Sequence, residues 1–133
     1  MARRHLAIFL KGVADKIISG EKEVEIRLSQ KRISPYGQVA KDDEILLKNA
    51  GGKIIGKVKV DNCLYYEKLT PESVEEIKQK YHQAARMEES FWQNKNQAHF
   101  ATIIFLKNPQ KFLSPIIYKK TDRRPWLVID EHL

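Results

Sequence analysis

Gly20, Lys22, Glu25 and Arg27 are the residues whose types and spacing could do chemistry in this sequence. They belong to the stretch Gly20-Glu21-Lys22-Glu23-Val24-Glu25-Ile26-Arg27-Leu28. From Glu23 onward polar and apolar residues alternate strictly, the period-2 pattern of a half-buried strand. Val24, Ile26 and Leu28 are expected inside, with Glu25 and Arg27 together on the opposite face. Lys22 stands at the entrance to the strand, where the loop leaves it free to swing toward that polar face. A planar guanidinium suits a phosphate or a base edge, and a carboxylate can orient a lysine or accept from a base amino group. On spacing alone the same residues also fit a solvated strand face bearing a Glu–Arg pair, which is nearly neutral in energy.

The elements that must position these groups are legible as patterns. His5 to Leu10 is a short apolar run suited to a buried strand. Lys11 to Ser19 places Val13, Ile17 and Ile18 on one side of a two-turn helix that Gly20 can close in a left-handed conformation. Ser29 to Asp43, with Pro35 and Gly37, reads as a loop with turns. Glu44–Asn49 and Lys53–Val60 read as strands of a hairpin around Ala50-Gly51-Gly52, with strand character continuing through Cys63 to Tyr66. Thr70-Pro71 is a helix start, and Val74, Ile77 and Tyr81 recur at helical spacing behind it. Glu88 to Lys95 makes a further helical segment; its adjacent Phe91 and Trp92 cannot face the same side. Phe100 to Leu106 is apolar and β-prone, as for a strand covered on both faces. After Pro109, Ser114-Pro115 introduces Ile116–Tyr118 and Pro125 introduces Trp126–Ile129, both expected as short peripheral strands. Strands and helices interleaved with hairpins argue for an α+β fold around a mostly antiparallel sheet or barrel.

At 133 residues the chain fits one domain, residues 1–133, with a core over about 5–112 and a C-terminal extension over 113–133. Its 24 Lys+Arg against 17 Asp+Glu give a formal net charge of +7, which favours polyanionic partners, nucleic acid first among them. A lone Cys63 excludes an internal disulfide and a multi-cysteine zinc site, and buried packing is its expected role. His5, His82, His99 and His132 show no metal-ligand spacing, so neither a metal nor a cofactor is expected. The run Leu6–Leu10 is too short for a signal-peptide core or a membrane span, and a cytoplasmic location is the expectation.

Gly20, Lys22, Glu25 and Arg27 match the G-x-K-x-x-E-x-R motif of the ASCH domain, a branch of the PUA-like superfamily, which this chain resembles over roughly residues 5–112. Lys41-Asp42-Asp43 before Glu44-Ile45-Leu46-Leu47, and Ala98-His99-Phe100-Ala101-Thr102 before the long apolar strand, are also similar to family members. The resemblance implies a PUA-like β-barrel with a few flanking helices and a cleft, lined by the motif residues, that binds RNA or a modified nucleoside. Some members are enzymes: small bacterial relatives hydrolyse the acetyl amide of N4-acetylcytidine with a Lys, a Thr and a Glu, and another is a ribonuclease. Lys22 matches the catalytic Lys, whereas Glu25 stands at the position of the catalytic Thr. The catalytic Glu has four candidates here, Glu75, Glu76, Glu88 and Glu89.

The favoured function is therefore an RNA- or nucleotide-binding module with Gly20, Lys22, Glu25, Arg27 and Arg32 as ligand residues. The alternatives are a hydrolase using Lys22 and Glu25, and a protein-interaction domain with a vestigial cleft. Basic clusters at Arg3-Arg4, Lys31-Arg32, Lys119-Lys120 and Arg123-Arg124 offer phosphate contacts or merely solvated loops. Tyr36, Tyr118 and Trp126 could stack on bases, with core packing favoured for Trp126. His99 fits a structural hydrogen bond, and Ser29, Ser34 and Thr102 have no recognisable base partner that would make them nucleophiles.

Overall fold

The computed structural model describes residues 2–119 and 123–129. Strand β1 (Arg4–Phe9) leads through helix α1 (Val13–Ile18) into β2 (Val24–Ser29), the alternating stretch. β3 (Glu44–Asn49) and β4 (Ile54–Tyr66) form the hairpin expected around Ala50-Gly51-Gly52. Helix α2 (Pro71–Ala85) begins where Thr70 and Pro71 place it, and the Thr70 hydroxyl accepts from the Ser73 N–H at 3.2 Å. Helix α3 (Glu89–Asn94), the long β5 (Phe100–Ile116) and β6 (Trp126–Ile129) complete the described chain. Among the described residues no helix is long and apolar enough to cross a membrane.

The strands make one sheet in the order β2-β5-β4-β3-β1-β6. β1 pairs parallel with β3, and the other neighbours pair antiparallel. The class is α+β and PUA-like, with the sheet curled into a half-barrel whose edges are β2 and β6. Two apolar clusters flank the sheet. One packs Val24, Ile26 and Leu28 of β2 against Val74, Ile77 and Tyr81 of α2. The other gathers Phe9, Ile17, Leu47 and Trp126.

Two expectations need correction. β5 does not stop at Leu106 but runs through Pro109 to Ile116, so Ile116–Tyr118 is no separate strand. The β4–β5 register shifts between Lys57 and Lys59, opposite Asn108 with its left-handed φ of 52°. A bulge asks no ladder hydrogen bond of the proline, so the strand passes through it. Gly56 allows the backbones to close up again, since a Cβ there would lie 2.5 Å from the Gln110 carbonyl oxygen. The second correction concerns β2, which is covered on both faces: Glu25 is 3% exposed. Its polar face looks into the protein because its partners are charges there, not water.

The edge strand β6 is anchored by a buried relay. The Trp126 indole N–H donates to His5 Nδ1 at 3.0 Å, and His5 Nε2 is 2.8 Å from Asp43 Oδ2. An accepting Nδ1 leaves the proton on Nε2, so His5 is a neutral imidazole donating to Asp43. Burial pushes the His5 pKa below its ordinary 6.5, although Asp43 pulls the other way and Arg3 adds a smaller downward push. A depressed pKa means that the unfolded chain takes up the proton first. Stability from this relay is therefore complete above pH 6.5 and lost as pH falls through the folded value. Urea midpoints measured across that window should fall for the native sequence. His5→Ala, less stable throughout, should lose that component of the slope. An unchanged slope would show that another group titrates.

Candidate functional site

The site is built around Glu25. Its Oε1 lies 3.1 Å from the Lys22 ammonium and accepts from the Ile26 N–H at 3.2 Å. Its Oε2 accepts from Arg27 Nε–H at 2.9 Å. Lys22 is held rather than swinging: it is 1% exposed, and it also donates to the Ala85 carbonyl and Met87 Sδ. The Ala85 carbonyl is one of the orphaned acceptors at the C-terminal end of α2, where a cation is favoured by the helix dipole. Burial works against the Glu25 carboxylate, yet Lys22 and Arg27 together outweigh it and hold its pKa below the ordinary range.

Arg27 extends from this carboxylate across the open side of the half-barrel. Nη2 donates to the Ile8 carbonyl at 3.2 Å and Nη1 to the Pro125 carbonyl at 3.4 Å. The guanidinium lies 5.1 Å from both the Phe9 and Trp126 rings. Of its five N–H bonds three are thus committed, and one on each terminal nitrogen stays free among the described residues. Arg27 lines a cleft of about 620 Å³, the size of a small-ligand site. Glu25, Arg27 and Thr102 supply polar groups to its lining, while Phe9, Met87 and Phe91 supply apolar walls.

The sequence-derived candidates separate in space. Val24, Ile26 and Leu28 are buried as expected, and Glu25 and Arg27 share one face that opens on the cleft. Lys22 sits behind Glu25 and lines a second depression of about 470 Å³ together with Gly20. Gly20 closes α1 as expected, with a left-handed φ of 87°, but it does not line the main cleft. Arg32 is ion-paired with Glu67 at 2.9 Å and lies over Tyr36 and Phe100, outside the cleft lining. Glu75, Glu76, Glu88 and Glu89 are likewise absent from it; Glu89 bonds Lys78 and Glu75 bonds Gln79. Trp92 is buried and Phe91 faces the cleft, resolving that pair. Trp126 is packed in the core and Tyr36 against Tyr65 and Phe100. Cys63 is half-buried, its thiol pushed up to about 11 by burial. Lys120 and His132 lie outside the described residues.

Thr102, which from the sequence was only a hydroxyl without a base partner, also lines the cleft. It pairs directly across from Arg27 and is 1% exposed. Its signal was available only once β2 and β5 were known to be neighbours. Among the described residues no group of three His, Cys, Asp or Glu side chains is arranged to hold a metal ion.

Glu25→Gln removes the charge that buried Lys22 and half-buried Arg27 share. Breaking a buried pair in this way costs roughly 3–5 kcal/mol, to be read from urea unfolding at pH 7. The gap should narrow as pH falls from 4.5 through the folded pKa of Glu25, because the native carboxylate is then protonated too. A gap independent of pH would mean that shape rather than charge is lost.

The model of the family described as ASCH domain matches residues 10–116 of the chain. The crystal structure of ASCH from Zymomonas mobilis superposes with a TM-score of 0.74 at 16% identity, covering 98% of this chain and 90% of that one. Protein EF3133 from Enterococcus faecalis superposes with a TM-score of 0.59 at 7% identity, covering 86% and 85%. At such identities the likeness carries the fold alone. No curated protein matches the sequence. The match over most of the chain settles the family: this protein belongs to the ASCH domain family.

Proposed function

We propose that the cleft binds RNA or a nucleotide, with one base against the face that carries Glu25, Arg27 and Thr102. The observation that carries this reading is the Arg27 guanidinium, rigidly held by Glu25 and two carbonyls yet keeping two N–H donors for the cleft. A fixed fork of this kind matches a phosphate or a base edge in paired hydrogen bonds. Glu25 retains acceptor capacity on Oε2 for a base amino or imino group. Phe91 and Phe9 offer aromatic contact to a base. The net charge of +7 favours approach of a polyanion.

The amide-hydrolase alternative is less well supported. It needs Lys22 to reach a substrate, whereas the three ammonium hydrogens of Lys22 face Glu25, the Ala85 carbonyl and Met87. With no free donor and a place outside the main cleft's lining, Lys22 suits a role in positioning Glu25.

Binding to single-stranded RNA should weaken steeply with added salt, as counterion release requires, and a flat response would overturn the reading. Arg27→Ala should weaken binding more than Lys119→Ala does. Loss of the paired contact is worth roughly 1–3 kcal/mol, against a few tenths for an exposed, screened charge. Thermal melts must show both variants folded before titration at one salt concentration. Equal losses would mean that attraction is diffuse and the motif is not the site.

A further inference from the structure

The cleft is cationic at one end as well as at its floor. We propose that Lys31 and Lys95 form a phosphate subsite there, so that the cleft takes a base together with a phosphate attached to its ribose. This rests on the base-binding reading above and assigns the residues that would hold the phosphate of such a ligand.

Two chain segments meet at that end. β2 finishes at Ser29, whose carbonyl accepts from the His99 N–H at 2.9 Å, and Ser29 pairs with Phe100 at the start of β5. Lys31 follows the first segment, Lys95 lies on the approach to the second, and both line the cleft. Both side chains are exposed, and neither ammonium has an ion-pair or hydrogen-bond partner among the described residues. Elsewhere on the surface Arg32 is committed to Glu67, Lys57 to Glu44, Lys78 to Glu89 and Lys107 to Asp42. Lys31 and Lys95 are left available.

The lining brings no anion to that end. Its neighbours there are the neutral amides of Gln30, Asn94 and Gln97, and the single lining carboxylate, Glu25, is already matched by Lys22 and Arg27. The cleft therefore presents excess positive potential away from its floor. The spacing also fits. Ser29 is one side-chain period beyond Arg27 on the same strand face, on the order of 7 Å, the scale of the step from a base to its own phosphate. A base at Arg27 would thus put a phosphate within reach of flexible lysine tips, which bind it as point charges.

The test is calorimetric titration of adenosine, guanosine, cytidine and uridine against their 5′- and 3′-monophosphates, with inorganic phosphate as a further arm. For each base that binds, one monophosphate should bind about tenfold or more tightly than its nucleoside, the scale of a charged hydrogen bond. The 5′ and 3′ arms identify which ester occupies the subsite. The double variant Lys31→Ala/Lys95→Ala should abolish that difference, leave nucleoside affinity unchanged and keep the thermal midpoint. Lys119→Ala should change neither. Equal affinity for nucleosides and monophosphates would overturn the subsite while leaving base binding intact. Equal weakening of both ligands by the double variant would also overturn it. Failure of every nucleoside and nucleotide to bind would overturn the base-binding reading and the subsite together.

Discussion

One buried carboxylate constrains the rest of the molecule. Glu25 is almost fully covered, and an isolated carboxylate in that position would be protonated or expelled. It stays charged because Lys22 and Arg27 approach from either side at 3.1 and 2.9 Å. Each of those cations then has an obligation of its own. Lys22 satisfies its remaining hydrogens at the C-terminal end of α2, fixing that helix against β2. Arg27 satisfies its own on Ile8 and Pro125, tying the β2 edge to the β1 end of the sheet. Burial makes these contacts interdependent, since removing any one leaves another charge unpaired in a low-dielectric site.

The same chain of contacts runs on through the other edge. Trp126 lies beside the Arg27 guanidinium and donates to His5, which donates to Asp43, whose carboxylate also accepts from the Arg3 and Ala40 N–H groups. From Asp43 to Ala85 the contacts form a continuous path through β1, β6 and β2 that ends on a helix. The half-barrel has no strand pairing between β2 and β6, so side chains do the work that a backbone ladder does in a closed barrel. His5 and Trp126 both fall outside residues 10–116, where the family model matches. The contacts that anchor Arg27 therefore extend beyond the matched stretch.

Legibility in the sequence followed the range of the interactions. The β2 alternation, the Thr70-Pro71 helix start and the hairpin at Ala50-Gly51-Gly52 are local signals, and each marks its element in the structure. β5 runs past its expected end at Leu106 because a bulge, set by the β4 register, makes a strand proline harmless. The period-2 alternation put Glu25 and Arg27 on one face, as the structure has them. It could not show that Lys22 turns behind that face, because the acceptors that draw it there, Ala85 and Met87, lie more than sixty residues away. Thr102 and Pro125 join the cleft for the same long-range reason, through the pairing of β5 with β2 and of β6 with β1. The relay from Trp126 to His5, 121 residues apart, had no sequence signal at all.

A ligand can be recognised only by groups whose hydrogen bonds are not already committed. By that criterion the cleft divides in two. Lys22 is fully committed and can act on a ligand only through the carboxylate it orients. Arg27, Glu25 and Thr102 are rigid and keep some capacity, the condition for directional discrimination at low entropic cost. Leu10 and Ile33, 77% and 54% exposed, also line the cleft and are apolar surface that a flat ring would cover. Lys31 and Lys95 are exposed and uncommitted, so they can add attraction but little directional selectivity. Rigidity lies where hydrogen-bond geometry would have to be read, and mobility where charge alone suffices.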